Sequence, residues 1–258
     1  MPFPNHPEKH NFPGLLTPQE MIAYRRKLGR LPNIPAPEGA ILCLQRGLPE
    51  RMRRRFPLRR AGRLMGDLYQ LRRTDGKVAV LTNFGIGAPL IVSLAEELIA
   101  WGVKRLISMS WAGGLQPDLL PGSIVICERA IRDEGTSYHY LSSDKYVHAD
   151  PALVDRLRHA LEARGNSFTV GTTWTTDAPY RETREEVRQY QSEGVKTVEM
   201  ETAALLALGQ VRGAQTASVC VVGDSLAAMH WETPPDVRSV EKGLEAVYAT
   251  VIEALSSE

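Results

Sequence analysis

The stretch VEMETAALLALGQVRGAQTASVCVVGD, residues 198–224, decides how the chain is read. Its middle, TAALLALGQVRG (202–213), has the apolar content and length of a helix, and Gly213 ends it by supplying the left-handed turn that helix C-termini favour. AQTASVCVVGD (214–224) then reads as a strand, rich in valine and bounded by the helix stop and by Gly223-Asp224. A helix handed directly to a strand is the building unit of layered α/β domains. Ahead of the helix, Glu199 and Glu201 stand on either side of Met200, and behind the strand stands Asp224. Such junctions are where α/β proteins collect their ligands.

Outward from this unit the same alternation continues. AILCLQ (40–45), LMGDLYQLRR (64–73), KVAVLTN (77–83), KRLISMS (104–110), GSIVICERAIR (122–132) and SFTVGTTWT (167–175) read as strands, with a Thr74-Asp75-Gly76 turn between the second and third. Residues 88–101, 151–164, 182–193 and 237–256 carry helical spacing. The expected fold class is α/β, a three-layer α/β/α sandwich with helices on both faces of a mixed central sheet.

Eight prolines up to Pro37 mark an extended arm and a linker around one helix. That helix has Thr17 as N-cap, Pro18 at N1, Glu20 completing a capping box and Gly29 as its stop. The expected division is therefore an N-terminal extension with one helix, residues 1–38, and a main domain, residues 39–258.

The 258 residues carry 31 Lys+Arg against 30 Asp+Glu, a net charge of +1 that speaks against a nucleic-acid or membrane-surface protein. An apolar share of 43% and a charged share of 24% are ordinary globular values. The balance conceals ten arginines between Arg46 and Arg73, opposed by Glu50 and Asp67 alone. The beginning lacks the apolar core of a signal peptide, and no apolar run approaches a membrane span. Cys43, Cys127 and Cys220 each sit in an apolar strand-like run, as buried reduced thiols do. A cytoplasmic protein without a zinc site is the expectation.

Several familiar motifs fail. Gly85-Ile86-Gly87 is followed by Ala-Pro-Leu, so the dinucleotide fingerprint is incomplete, and neither a phosphate-binding GxxxxGK[ST] loop nor a GxSxG elbow exists. His230-Trp231-Glu232 has the HxE of zinc deaminases without the PCxxC they require. Four junction loops remain: Gly47–Arg51, Ser110–Leu115, Val198–Ala203 and Val221–Ser225. The third is the most informative. Glu201 can cap helix 202–212, where the dipole favours negative charge. A carboxylate that accepts two hydrogen bonds also suits a vicinal diol such as a ribose, and a thioether suits the apolar face of the sugar.

VEMETAAL, GIGAP, AGGLQPDLLPGS, RDEGTSYHYL and TTDAPYRETREEV, taken together and in order, resemble the nucleoside phosphorylase superfamily, whose members include uridine phosphorylase and hexameric purine nucleoside phosphorylase. The resemblance runs from about Ala40 to Asp224. It implies a partly barrel-like mixed sheet and a homo-oligomer built from dimers, up to a hexamer, with sites completed across the dimer interface. It implies cleavage of a nucleoside N-glycosidic bond with inorganic phosphate as co-substrate, giving ribose 1-phosphate and free base, with no organic cofactor and no metal. Nucleoside and phosphate are then its partners.

On this resemblance Met200 and Glu201 match the ribose-binding Met-Glu pair, with Glu199 ordering the loop, and Asp224 aligns with the acid that protonates the leaving base. Trp174 and Tyr180 flank the expected base pocket, and each is equally well read as a core aromatic. For phosphate, Gly47 and Arg51 fit the pattern Gly-Asp-Pro-x-Arg, and Arg63 lies near the arginine that a neighbouring subunit lends. Ser110 and Trp111 occupy the next phosphate anchor. There the sequence departs from the family: Ser108 replaces an arginine and Trp111 a threonine. Leu64 stands where a monovalent-cation glutamate is expected, and Thr183-Arg184-Glu185 does not repeat the Gln-x-Arg uracil clamp. His6 and His10 align poorly with the histidine that family members bring to the ribose 5′-hydroxyl. Phosphorolysis leads, a hydrolytic nucleosidase of the same fold follows, and a non-catalytic nucleoside-binding homologue is the third reading.

Overall fold

The computed structural model describes residue 6 and residues 8–256. The arm ends in helix α1 (Pro18–Lys27), whose Thr17 and Glu20 form the reciprocal capping box. Then come β1 (Gly39–Cys43), the short helix α2 (Leu48–Met52), β2 (Leu58–Leu64), β3 (Gly66–Leu71), β4 (Val78–Thr82) and α3 (Ala88–Trp101). Strands β5 (Arg105–Gly114), β6 (Ile124–Asp133) and β7 (Tyr146–His148) precede α4 (Pro151–Ala163) and β8 (Thr169–Thr176). Helix α5 (Arg184–Ser192), β9 (Thr197–Glu199), α6 (Thr202–Arg212), β10 (Gln215–Ser225) and α7 (Arg238–Ser256) complete the order.

Among the described residues ten strands form one mixed sheet. Parallel pairs β1–β4, β1–β5, β5–β10, β6–β8 and β8–β9 are joined by antiparallel pairs β2–β3, β3–β4, β5–β9, β6–β7 and β6–β10. Following the pairings from β5 through β10, β6, β8 and β9 leads back to β5, so five strands close a ring. Strands β1, β4, β3 and β2 extend from it as an open wing.

The wing shows why helices cover both faces. Ile41, Cys43, Val78, Val80, Ile107 and Met109 point to one side, into a core completed by α4 and α7. Ala40, Leu42, Ala79, Leu81 and Leu106 point to the other, against α3 and α6. This is the two-residue period of a strand buried on both sides. Helix α6 contributes Leu206 and Ala207 to the first core and Leu205 and Leu208 to the second. The result is a large mixed sheet flanked by helices, the expected fold class.

Several elements differ from expectation, β7 and β9 among them. Trp111–Gly114, expected as a loop, continues β5, because the glycines allow Val198 and Val222 to pack closely over them. The segment LRRAGRL forms β2, whose side chains are mostly exposed or half-buried and so give no apolar alternation. Gly47–Arg51 is not an open loop: Gly47, in the left-handed region at φ 72°, starts α2.

Candidate active site

The ends of β5, β9 and β10 and the segment after β8 open into a common cavity of about 700 Å3. Its walls include Trp111, Tyr180, Glu182, Met200, Asp224 and Trp231.

The Glu-Met-Glu loop divides its work in a way the sequence does not reveal. Glu199, at the end of β9, is the residue that caps α6. Its Oε2 accepts from the backbone N–H groups of Glu201 (2.9 Å) and Thr202 (2.7 Å), and its Oε1 accepts from the Thr175 hydroxyl (2.6 Å). Thr175 in turn uses its oxygen to accept from Ala203 N–H at 2.9 Å. Glu201, the expected cap, makes no side-chain cap hydrogen bond. It is freed for another contact: its Oε1 accepts from Gly87 N–H at 2.5 Å and its Oε2 from Met200 N–H at 3.3 Å. Gly87 has φ 102° and ψ 152°, a backbone geometry suited to glycine, which explains why the chain reads Gly-Ile-Gly at this contact.

Both carboxyls are buried. Burial, and then the neighbouring Glu199 charge, push Glu201 up to about 7; burial raises Glu199 as well, against the lowering effect of its hydrogen bonds. Met200, between them, faces the cavity, and the Glu201 carboxylate is turned onto the Gly85–Gly87 loop rather than into the cavity lining.

Asp224 reaches the cavity from β10, where a register shift between Val222 and Asp224 alters the strand. Its Oδ2 accepts from Trp231 Nε1 at 2.7 Å. Trp231 stands on the excursion 226–237, pinned to β10 by two backbone hydrogen bonds between Ser225 and Glu232 of 2.9 and 2.8 Å. Across the cavity Glu182 is pushed up to about 7, first by burial and then by the Asp224 charge.

The other expected site residues are placed as follows. Tyr180 is fully exposed on the cavity wall. Trp174 is 1% exposed and does not line the cavity; its Nε1 donates to Asp133 at 2.9 Å and its ring packs on Tyr190, centroids 4.8 Å apart. It belongs to the core beneath α5, because β8 alternation turns it inward. Trp111 lies against Gly223 in the cavity wall. Ser110, next to it on the strand, must face the opposite way, and its hydroxyl meets Cys220 Sγ at 3.5 Å. Gly47, Arg51 and Arg63 do not line this cavity: Arg51 is exposed on α2, and Arg63 on β2 pairs with Asp67 at 3.6 Å. Ser108 is 2% exposed, and its Oγ has no hydrogen-bond partner.

His6 and His10 border a different and larger cavity, about 1100 Å3, between the arm, α3 and α6. There Lys9 Nζ lies 2.6 Å from His139 Nδ1. The RDEG and TTD segments brace loops: Asp177 accepts from Gly135 N–H at 2.8 Å, while Arg132 donates to the Ser137 hydroxyl at 2.9 Å and to the Ser142 carbonyl at 2.7 Å. Among the described residues no group of three His, Cys, Asp or Glu is placed to hold a metal ion, and no helix is long and apolar enough to cross a membrane.

Sequence reasoning missed Glu182, Arg184 and Trp231. Glu182 and Arg184 sit on either side of Thr183, whose capping box with Glu186 hides them as ordinary helix-start residues. Trp231 stands within His-Trp-Glu, a context that points to metal chemistry and not to a base pocket.

The sequence and the fold match a known family. The family model of the phosphorylase superfamily matches residues 53–256, and the chain belongs to that superfamily. It is 30% identical over 154 residues to a guanosine phosphorylase of Halorubrum lacusprofundi, covering 60% of this chain and 64% of that one. It is 33% identical over 155 residues to a DeoD-type purine nucleoside phosphorylase of Bacillus cytotoxicus, covering 58% and 65%. The match thus spans just under two thirds of each relative's length. The fold is that of uridine phosphorylase from Vibrio fischeri, with a TM-score of 0.71 at 24% identity over 85% of this chain and 90% of that one.

Proposed function

We propose that the chain cleaves the N-glycosidic bond of a nucleoside, with inorganic phosphate as nucleophile and no organic cofactor or metal. The observation that carries this reading is the convergence of Met200, on its Glu-Met-Glu loop, and Asp224 on one cavity. Membership of the phosphorylase superfamily and the names of the two relatives support it.

A phosphate oxygen attacks C1′ of the ribose as the C1′–N bond breaks, and the bonding pair leaves on the base nitrogen. Positive charge grows on the sugar and negative charge on the base. Asp224, as general acid, delivers a proton to the base and lowers the cost of its departure. Met200 packs on the sugar's apolar face. Glu201, whose carboxylate rests on Gly87 N–H just outside the cavity lining, turns to the ribose hydroxyls when substrate binds and stabilises the sugar's developing positive charge more than the ground state. Its raised pKa leaves it poised between charge states near neutral pH. Glu199 holds the loop rigid. Tyr180 and Trp111 offer faces on which a base can stack.

In this reading the enzyme works in the cytoplasm, in nucleoside salvage, as a homo-oligomer built from dimers. Gly47, Arg51 and Arg63 lie outside the single-chain cavity. Arg63 is assigned to phosphate at a neighbouring copy's site, with Gly47 and Arg51 at the start of α2 as the first anchor and the Ser110-Trp111 backbone of β5 as the second. Hydrolysis is a second reading, favoured by Trp111 in the cavity wall and by the unpaired buried Ser108 hydroxyl where a phosphate-binding arginine is expected.

Release of free base from a nucleoside panel, measured with and without phosphate, tests both. Cleavage that requires phosphate supports phosphorolysis. Equal rates without it establish the hydrolytic reading. Glu201→Gln should lower kcat at least about a hundredfold, within the range that a single electrostatic contact contributes to a transition state.

A further inference from the structure

We infer that the arginine cluster of the open wing is a docking surface for a single nucleic-acid strand, held through its phosphates without regard to sequence. This function is separate from nucleoside cleavage.

The first support is the placement of charge. Residues 46–73 hold ten arginines and two acids, a net of +8 in a chain of +1, so the remaining residues are net −7. The near-neutral total is a cancellation between this region and the rest, not an even surface. Arg51 and Arg63 are assigned to phosphate, whereas Arg53, Arg54, Arg55, Arg72 and Arg73 have no part in the cavity.

The fold gathers these five. Leu58, at the start of β2, pairs with Leu71, at the end of β3, and Arg72 N–H donates to the Pro57 carbonyl at 3.0 Å. The turn that leads into β2 and the turn that follows β3 therefore lie side by side at one end of the wing. The first turn is fixed in place. The N–H groups of Arg55 and Phe56 donate to the Met52 carbonyl at 3.0 and 2.8 Å, and the Phe56 ring packs edge-on against Tyr248, centroids 5.8 Å apart. All five arginines are exposed. Among the described residues none of them is paired with a carboxylate. The nearby acids are engaged elsewhere: Asp67 meets Arg60 and Arg63 at 3.3 and 3.6 Å, and Glu50 accepts from the Tyr69 hydroxyl at 3.0 Å. Asp75, in the turn after β3, is matched by Lys77. Arg59 and Arg60 continue the positive row along β2, which at roughly 3.3 Å per residue is about 20 Å long. Crowded like charges repel one another, and a bound polyanion relieves that repulsion.

The second support is what accompanies the charge. Among the described residues every exposed large apolar side chain lies outside 46–73. A protein partner wants aromatic and apolar anchors at the centre of its interface, and a membrane-surface site adds an inserted apolar face to its basic one. A phosphodiester backbone asks for cations alone, and the planar guanidinium fork meets its oxygens two at a time. Without an exposed aromatic on which a base can stack, the contact reads no sequence. No helix or ribbon projects here to enter a duplex groove, so a flexible single strand is the form that lays its phosphates along the row.

The test uses the full-length protein and a fluorescein-labelled oligouridylate of about 20 nucleotides, longer than a usual single-strand site, read by fluorescence anisotropy. Affinity should fall with salt at a log–log slope of about −3, as four or five neutralised phosphates require on a single strand. An oligothymidylate of the same length should bind within about threefold, because phosphates and not 2′-hydroxyls are held. The triple variant Arg53→Gln, Arg54→Gln, Arg55→Gln should weaken binding at least about tenfold and flatten the slope by about 2, and Arg72→Gln with Arg73→Gln should flatten it by about 1. The lysine triple at 53–55 should keep the slope, with Tm unchanged in all three. No anisotropy change at about 50 mM salt, or a slope that the glutamine triple leaves intact, overturns the inference. Tighter binding to phosphatidylserine vesicles or to polyglutamate than to the oligouridylate overturns it in favour of a membrane or an acidic protein. None of these results bears on nucleoside cleavage, which base release reads independently.

Discussion

Glu199 and Glu201 are two residues apart, equally acidic and both buried, yet they do opposite things. Glu199 spends its oxygens on three donors of the fold. Glu201 is held by two backbone N–H groups and sits beside a like charge, which favours its protonated form. A carboxyl raised from 4.5 to about 7 binds a proton in the folded chain that it releases in the unfolded chain. The stability it contributes is complete below the unfolded value and is lost as pH climbs through the folded one. Glu201→Gln removes that dependence. Its Tm should therefore gain on the wild type as pH rises from about 4.5 to 8, and coincide with it at the acid end. A gap that stays constant across this range would show that Glu201 is not raised. The activity lost in the same variant is the measure of what the carboxylate does in exchange.

At the scale of elements, α6 packs against β10 without room for a side chain at Gly209. A Cβ placed on Gly209 would fall 2.2 Å from Thr216 Oγ1 and 2.6 Å from its Cγ2. Thr216 is β-branched and its χ1 is stiff, so it cannot swing away. Gly209→Ala should destabilise the protein by about 1–3 kcal/mol despite alanine's better helix propensity, as urea unfolding would record. An unchanged midpoint would mean that the two elements slide apart freely. The elements themselves were largely legible: α3, α4, α6 and α7 follow apolar spacing closely, and the capping box of α1 stands at Thr17 and Glu20 as expected. Illegible were β2, whose Arg-rich edge lacks alternation, and β9, three residues whose strand character comes from pairing with β5 and β8. Met200 and Asp224 line the cavity, where the carboxyl-flanked loop and the resemblance at the end of β10 lead one to look for them. Trp174 could not be placed, since inward or outward depends on a register that one strand does not disclose. Glu182 was hidden because a polar residue before a helix cap is common.

At the scale of the whole molecule, α1 is tied to α3 by an ion pair that carries one hydrogen bond, from Arg25 to Glu97. Arg25 Nε and a terminal nitrogen reach the Glu97 carboxylate at 2.7 and 2.8 Å, bringing α1 onto α3. Glu97 is 8% exposed, so removing its partner strands a charge in poorly solvated surroundings. Arg25→Ala should lower stability by about 1–3 kcal/mol, less than a fully buried pair because Arg25 is itself about a quarter exposed. Chemical denaturation checks it, and a loss below a few tenths of a kcal/mol would mark the arm as an independent appendage.

The ring closed by β5, β10, β6, β8 and β9 leaves few open margins, and the wing ends at β2. Arg59, Arg60 and Arg63 lie exposed along that last strand. An unpaired strand invites the same strand of another molecule to add itself, but two such rows would bring arginine against arginine. The three arginines of that strand thus oppose edge-to-edge pairing of β2 with its own copy, while leaving Arg63 able to reach a neighbour's site.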